Sequence, residues 1–455
     1  DADWIMLFSI SEGDLYIDSN SIIYDSIYEI INQYKDNKSF ETLLINNVCS
    51  KIENYIYQLS PDNTVIIAFD GVAPVAKLEQ QRTRRYKSQF IESVTLKINS
   101  EKDKLPWDKT AITPGTAFMD KLNKDVSLYF QIHKEKFKCK KIIVSGSDFP
   151  GEGEHKIFEY IRNNKESHKE EKTVIHGLDA DLIMLCLNHL HISENIHLYR
   201  ETPHFIKNIS SDLNPDETYL IDINELANNI VEDLKPSKKV STSEKLEVVH
   251  DYIFVCLFLG NDFMPHFPSM NIRTTGIEIL LGAYKNVCGD HNKLLLKDNK
   301  IIWKNVREFI SYLSNDENLY LREEYKVRNK MEKRFVANKS PKEKENYFNL
   351  IPTKERDIEK YINPFESYWE ERYYKMLFDF EINDERRKQV CVNYLEALEW
   401  NITYYTTGCK NWNWYYKYDY APLLKDLSKF VPYFDTEFVE FEESNPVSSY
   451  TQLAY

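Results

Sequence analysis

The chain has 455 residues, room for roughly two to four domain-sized units and a sizeable core. With 42% hydrophobic and 29% charged residues it is neither a disordered tail nor a fibre, and apolar stretches such as 252–260 are too short to cross a bilayer. The formal net charge of −14 argues against indiscriminate coating of nucleic acid. It leaves room for a nucleic-acid enzyme, in which an acidic metal site sits beside a local basic patch.

The opening, Asp1-Ala2-Asp3-Trp4, has neither a basic n-region nor an initiator Met, so a secretory signal is not expected and the sequence reads as truncated there. Asp14–Asp18 reads as a short apolar strand, followed by a helix through about Tyr34 and another over Glu41–Leu59. Thr64–Phe69 is almost wholly apolar and β-rich, the mark of a buried parallel strand. Lys141–Val144 and Thr173–His176 repeat that character, each ahead of a helix-like segment. Strand, turn and helix repeated in this way predict, for residues 1–290, an α/β fold with a mainly parallel central sheet flanked by helices. Charge then crowds between about Asn315 and Asn349, so residues 291–357 read as a charged linker or insertion. An aromatic-rich α-helical region is expected over 358–455, packed on the α/β core. The seven cysteines, at 49, 139, 186, 256, 288, 391 and 409, never form a CxxC pair. Neither a disulfide framework nor a zinc site is expected, and the natural setting is intracellular and reducing, cytoplasm ahead of nucleus.

The acids are not scattered evenly. Asp18 and Asp70 end the first two strands, Glu152 and Glu154 lie in PGEGEHK after KIIV, and Asp179 and Asp181 lie in GLDADLIML after TVIHG. Asp262, in FLGNDFMP, follows a long apolar helix. In an open parallel sheet the strand-end positions share the carboxyl edge, where ligands bind. One such Asp is ordinarily a helix cap; caps do not call for acids at every successive strand end. Carboxylates packed together raise one another's pKa, so they need cations. Hard oxygen ligands suit Mg²⁺ or Mn²⁺, and two ions about 4 Å apart serve phosphodiester cleavage. Gly151 and Gly153 let the backbone pass close to a ligand. His155 and His266 abut the acidic motifs and read as structural supports rather than ligands.

After Asp70 comes GVAPVAKLEQQRTRRYKSQF. Helical spacing puts Lys77, Gln81 and Arg84 on one face with Arg85 to its side. Read alone, this is as well a solvated basic helix; rooted beside an acidic crevice, it could clamp a terminal phosphate.

The segments LYIDSNSII, AFDGVAPVAKLEQQRTRR, ITPGTAFM, PGEGEHKIFEYIR, GLDADLIML and FLGNDFMPHFPS together resemble the Xrn family of 5′→3′ exoribonucleases, with WEERYYK and GCKNWNWYYKYDYAP resembling its second conserved region. The matches keep the family's order over about 14–285 and 365–425. The resemblance implies a nuclease core of the PIN and flap-endonuclease-like type and two-magnesium hydrolysis of single-stranded RNA from a 5′-monophosphate, one nucleotide at a time. Asp18, Asp70, Glu152, Glu154, Asp179, Asp181 and Asp262 match the family's metal-binding, catalytic acids; Lys77, Gln81, Arg84 and Arg85 match its 5′-phosphate pocket. All eleven identities are retained, which argues against an inactive RNA-binding scaffold. A structure-specific DNA flap nuclease is the rival within the superfamily. Tyr24 stands where the family carries a base-stacking His, and Trp412 or Trp414 is expected to face it across the base. Val75 replaces a common Arg, and the family's MGVPKFFRW-type opening gives way to DADWIMLFSISEG, which implies a changed pocket rim. The 31 Tyr and plentiful Asn, Ile and Lys suit an AT-rich genome, viral or protist, and the chain resembles a minimal member of the family, whose protein partners would be decapping or other RNA-processing factors.

Overall fold

The computed structural model describes residues 5–7, 13–98, 107–200, 219–236, 240–289, 293–381, 383–440 and 444–454. In chain order come β1 (Ile5–Leu7), β2 (Asp14–Asp18), α1 (Asn20–Ile30), α2 (Asn37–Leu59), β3 (Thr64–Ala68), α3 (Val75–Ile98) and α4 (Ala117–Ile132). Then follow β4 (Lys141–Ser145), α5 (Gly153–Asn163), α6 (Lys165–His168), β5 (Thr173–His176), α7 (Asp181–Asn188), β6 (Ile196–Arg200) and β7 (Tyr219–Asp222). The next elements are α8 (Ile223–Leu234), α9 (Thr242–Leu257), α10 (Gly276–Tyr284), the hairpin β8 (Leu296–Lys297) and β9 (Lys300–Ile301), α11 (Trp303–Asn315), α12 (Glu317–Glu332) and α13 (Pro341–Asn349). The chain closes with α14 (Ile351–Lys354), α15 (Asp357–Ile362), α16 (Trp369–Phe378), α17 (Asp384–Thr407), α18 (Leu424–Phe430) and α19 (Ser449–Ala454).

Seven strands form one sheet in the order β1-β7-β6-β5-β2-β3-β4. The pairs β6–β5, β5–β2, β2–β3 and β3–β4 are parallel, and β7 runs antiparallel to both β1 and β6. The sheet is therefore mainly parallel, as the apolar runs predict. Strand side chains alternate between its faces. Leu15, Ile17, Val65 and Ile67 enter one core with α1, α2 and α4. Tyr16, Ile66 and Ile175 enter the other, which α5, α7, α8, α9, α11 and α17 complete.

Part of the stretch expected as a charged linker or insertion, 291–357, belongs to the core. Trp303, Val306, Phe309, Ile310 and Leu313 keep helical spacing on α11 and are buried in the larger core. Charge misleads here because it lies on the outer faces of α12 and α13, while the apolar stripe just ahead of it is short.

Candidate active site

The parallel pairing of β2 with β3 and β5, and of β3 with β4, brings their carboxyl ends to one edge. Asp18 is the last residue of β2, and Asp70 follows β3. Glu152 is the N-cap residue of α5, with Glu154 in its first turn. Asp181 opens α7, with Asp179 just before it and accepting from the Asp181 N–H at 3.3 Å. Asp18 feels the charges of Asp70, Asp179 and Glu152; Glu154 feels Glu152, Asp181, Asp18 and Asp179; Asp181 feels Asp179 and Asp262. These overlapping sets join all seven expected acids in one crevice.

Their crowding shows in their protonation. Burial first, then Asp70, Asp179 and Glu152, push Asp18 well above the usual carboxylate range, and the Asn20 N–H pulls it back. Burial and then Glu152 and Asp181 raise Glu154 likewise. Burial and Asp179 carry Asp181 up to about 7, against the pull of Lys77.

Asp70 is clasped from two sides. Its Oδ2 accepts from Asn20 Nδ2 at 2.6 Å and its Oδ1 from the Gly153 N–H at 2.7 Å. The second bond serves an otherwise unpaired N–H in the first turn of α5 from a different strand. A Cβ at 153 would lie 2.6 Å from Asp18 Oδ1 and 3.2 Å from the Ala68 carbonyl oxygen, so any side chain there would displace the Asp18 carboxylate.

Lys77 is buried among the acids rather than facing open solvent. It donates to Glu152 Oε2 at 2.7 Å and also to Asp262 Oδ2. Burial alone would lower its pKa, yet Glu152, Asp262 and Glu154 hold it well above the ordinary lysine value. One helical turn on, Gln80 Nε2 donates to Asp262 Oδ1 at 3.0 Å, while Gln81 is half-buried alongside. Lys156 donates to the carbonyls of Phe69 and Gly146 at 2.8 and 2.7 Å, its pKa lowered by burial to about 8.

Seven carboxylates thus face the buried Lys77 and the half-buried Lys156, an excess of negative charge that costs several kcal/mol unless it is neutralised. Asp18 Oδ1 is buried with no hydrogen-bond partner, an orphan acceptor of the kind a cation satisfies. The donors are almost all carboxylate oxygens, which fits a hard divalent cation. Glu152, Glu154 and His155 also place one possible ligand atom each within 4.8 Å of one another. His155 lies closer to the acids than its reading as a support implies: its Nε2 is 4.0 Å from Glu154 Oε1, and its ring stacks on Tyr404 with centroids 3.8 Å apart. His266 packs on Gly260, and its charged neighbours are Arg328 and Glu324.

Two residues absent from the sequence reading complete the acidic wall. Tyr404 donates its hydroxyl to Glu152 Oε1 at 2.9 Å, and the neighbouring Tyr405 bonds to Asp181. Both come from α17. In the sequence NITYYTT their only signal is a tyrosine doublet inside an aromatic helix, indistinguishable there from core.

Farther along α3, Arg84 and Arg85 are exposed, and Arg85 Nη2 donates to Thr113 Oγ1 at 3.1 Å. Tyr24, on α1 and 38% exposed, stands close enough to feel Arg84, Asp70 and Arg85. The two tryptophans part company. Trp414 stacks on Trp400 at 5.1 Å and donates Nε1 to Glu396 at 3.2 Å, so it is taken up by packing. Trp412 is half-buried, and its carbonyl accepts from the Val75 N–H at 2.9 Å at the start of α3. The pocket rim expected to change with the opening of the chain falls on residues 1–12, outside the described residues except for the backbone of β1.

Residues 9–202 match the family described as the XRN 5'-3' exonuclease N-terminus, and residues 243–364 and 352–454 match the Xrn1 helical domain. The chain belongs to the Xrn family. Similar to it are the 5'-3' exoribonuclease 2 of Arabidopsis thaliana, 27% identical over 97% of this chain and 56% of its own length, and the 5'-3' exoribonuclease 1 of Saccharomyces cerevisiae, 25% identical over 99% and 38%. The human 5'-3' exoribonuclease 1 is 27% identical over 97% of this chain and 28% of its own length. The chain thus spans about half, or less, of these Xrn relatives. A solved catalytic core of Rad2 in complex with DNA substrate aligns at 12% identity and TM-score 0.36, over 78% of this chain and 82% of that one. Within the Xrn frame, the first matched region supplies Asp18 through Asp181 and the helical one supplies Asp262, Tyr404 and Tyr405. The crevice is built by both. Among the described residues, no helix is long and apolar enough to cross a membrane.

Proposed function

We propose that this chain is a 5′→3′ exoribonuclease that hydrolyses single-stranded RNA bearing a 5′-monophosphate to mononucleotides. The observation that carries this reading is the juxtaposition of seven carboxylates at one sheet edge with a basic helix rooted among them through Lys77. The Xrn relatives, named as 5'-3' exoribonucleases, support it. Asp18, Asp70, Glu152, Glu154, Asp179, Asp181 and Asp262 would hold two Mg²⁺ ions, with Mn²⁺ as a substitute, and the bound ions would supply charge neutralisation and water activation for phosphodiester hydrolysis.

The remaining work falls to the chain's own groups. Arg84 and Arg85, with Gln81 behind them, take the terminal phosphate, for which Arg offers paired N–H donors. Lys77 bridges that helix to Glu152 and Asp262, so end recognition and the acids share one rigid support. Tyr24 stacks on the leading base, with Trp412 rather than Trp414 as the facing ring, because Trp414 is committed to Trp400.

The experiment is cleavage of RNAs matched in sequence but ending in a 5′-monophosphate, a 5′-hydroxyl or a cap, by the wild type and by Arg85→Ala. The monophosphate RNA should be degraded fastest, and Arg85→Ala should damage that substrate far more than the hydroxyl one. Equal rates on all three ends would overturn the end-selective reading, and preference for flap-bearing DNA would favour the structure-specific rival.

A further inference from the structure

A basic, aromatic surface lies away from the crevice. Only the first four residues of α3, Val75–Leu78, are buried, and the helix then projects outward. Phe90 lies thirteen residues beyond Lys77, or roughly 20 Å along a helix axis. Beyond Arg84 and Arg85, residues 86–97 add Lys87 and Lys97 against one acid, and residues 333–344 contain five basic side chains and one acid, in a chain whose net charge is −14. These segments are remote in sequence. The fold joins them where α13 packs on α3, with the rings of Phe90 and Phe348 6.0 Å apart.

The second segment is held in place. Lys354 Nζ donates to the carbonyls of Glu332 at 2.6 Å and Met331 at 3.4 Å, and also to that of Arg334. Ser340 and Glu343 form a reciprocal cap on α13, so the one acid of 333–344 is spent on the backbone N–H groups of Lys339 and Ser340. Lys333, Arg334, Lys339, Lys342 and Lys344 are exposed and form no ion pair among the described residues. Between the cations stand bare rings: Tyr86 is 70% exposed, Phe90 62% and Phe335 93%. Cations alone would suit any polyanion. Flat side chains set among them suit one that carries bases, because bases stack on exposed rings without regard to sequence.

We propose that α3 from Tyr86 onward and the 333–344 segment form a second binding surface for single-stranded RNA, one that grips the chain without needing its end. The proposal rests on the reading of RNA as the substrate. Its use would be to keep a long RNA near the crevice, through an attraction that falls steeply with salt.

A circular oligouridylate has no end for the crevice, so its binding in EDTA reads this surface alone. The wild type should bind it with strong salt dependence. The variant K333E/R334E/K339E/K342E should bind at least about tenfold more weakly, with a salt slope shallower by about 3. Phe335→Ala should weaken binding about tenfold with the slope unchanged. The quadruple variant should keep its melting temperature and its rate on a 5′-monophosphate trinucleotide, which the crevice holds by its end.

The proposal is overturned if the wild type does not bind the circle or if the charge reversal leaves binding unchanged. It is equally overturned by an equal loss on circle and trinucleotide, or by retention of polyglutamate instead of RNA, which would assign the surface to an acidic protein. Failure of the exonuclease reading would show separately, as intact linear 5′-monophosphate RNA in Mg²⁺ alongside unimpaired binding of the circle.

Discussion

Tyr404 donates its hydroxyl to Glu152 Oε1 at 2.9 Å, so a residue of the helical region holds a carboxylate that the α/β region presents. The same tyrosine ring stacks on His155 and on Trp400, which fixes the hydroxyl's direction. Glu152 is shared between this hydroxyl and Lys77, and both its oxygens are therefore oriented before any cation arrives.

Tyr404→Phe keeps both stacks and removes only the donor. A hydrogen bond to a charged group is worth about 1.5–3 kcal/mol, so the half-saturating Mg²⁺ concentration should rise about tenfold or more. Tyr405→Phe should act in the same direction through Asp181. Calorimetric Mn²⁺ binding checks this without reference to turnover. A lower melting temperature with unchanged metal affinity would mean that the tyrosines only pack.

Asp179→Ala and Asp181→Ala should each abolish cleavage while leaving the fold intact. Asp181 is pushed up to about 7 by burial and Asp179, so removing either acid relieves repulsion in the metal-free protein. The melting temperature in EDTA should hold or rise. A marked fall would show that these acids are structural caps.

Tyr24→Ala should slow degradation and shorten processive runs, since a stacked base is worth about 1–3 kcal/mol. Tyr24→Phe and Tyr24→His should be tolerated, because each keeps a flat ring. Trp412→Ala should match Tyr24→Ala in single-turnover rates, whereas Trp414→Ala should chiefly lower the melting temperature. Wild-type rates in both Tyr24→Ala and Trp412→Ala would remove the stacking role.

Acid lability has a specific source in His176. Burial pushes it down to about 4, and neither of its ring nitrogens has a hydrogen-bond partner. Below its ordinary value the unfolded chain takes up a proton that the folded one refuses, so this contribution is present above about pH 6.5 and is lost as pH falls toward 4. His176→Phe keeps a ring against Tyr55 and removes the titration. Between about pH 7.5 and about pH 5, its unfolding free energy should fall by on the order of 2 kcal/mol less than that of the wild type. Parallel pH profiles for the two proteins would contradict this.

Much of the site was legible in the sequence because strand ends are legible. Asp18, Asp70 and Asp179 follow apolar runs whose period and composition mark parallel strands, and topology then brings such ends together. What escaped reading is what depends on contacts between remote segments. Tyr404 reaches Glu152 across 252 positions, and nothing local separates it from the core aromatics beside it. Lys77 reads from its helix face as a phosphate ligand, yet burial places it between Glu152 and Asp262. Trp412 and Trp414 are two residues apart and equally aromatic; the presence of Trp400 beneath one of them decides their difference. Charge density between about 315 and 349 concealed that α11, immediately before it, belongs to the core.

The most direct measurement follows a single-stranded RNA labelled on its 5′-monophosphate, incubated with the wild type in Mg²⁺ and in EDTA. In Mg²⁺ the label should leave as a mononucleotide from the earliest time point, with no labelled oligonucleotide accumulating, and in EDTA the RNA should stay whole. Label released on oligonucleotides, shortening from the 3′ end, or undiminished cleavage in EDTA would contradict metal-dependent 5′→3′ exonucleolysis at this crevice.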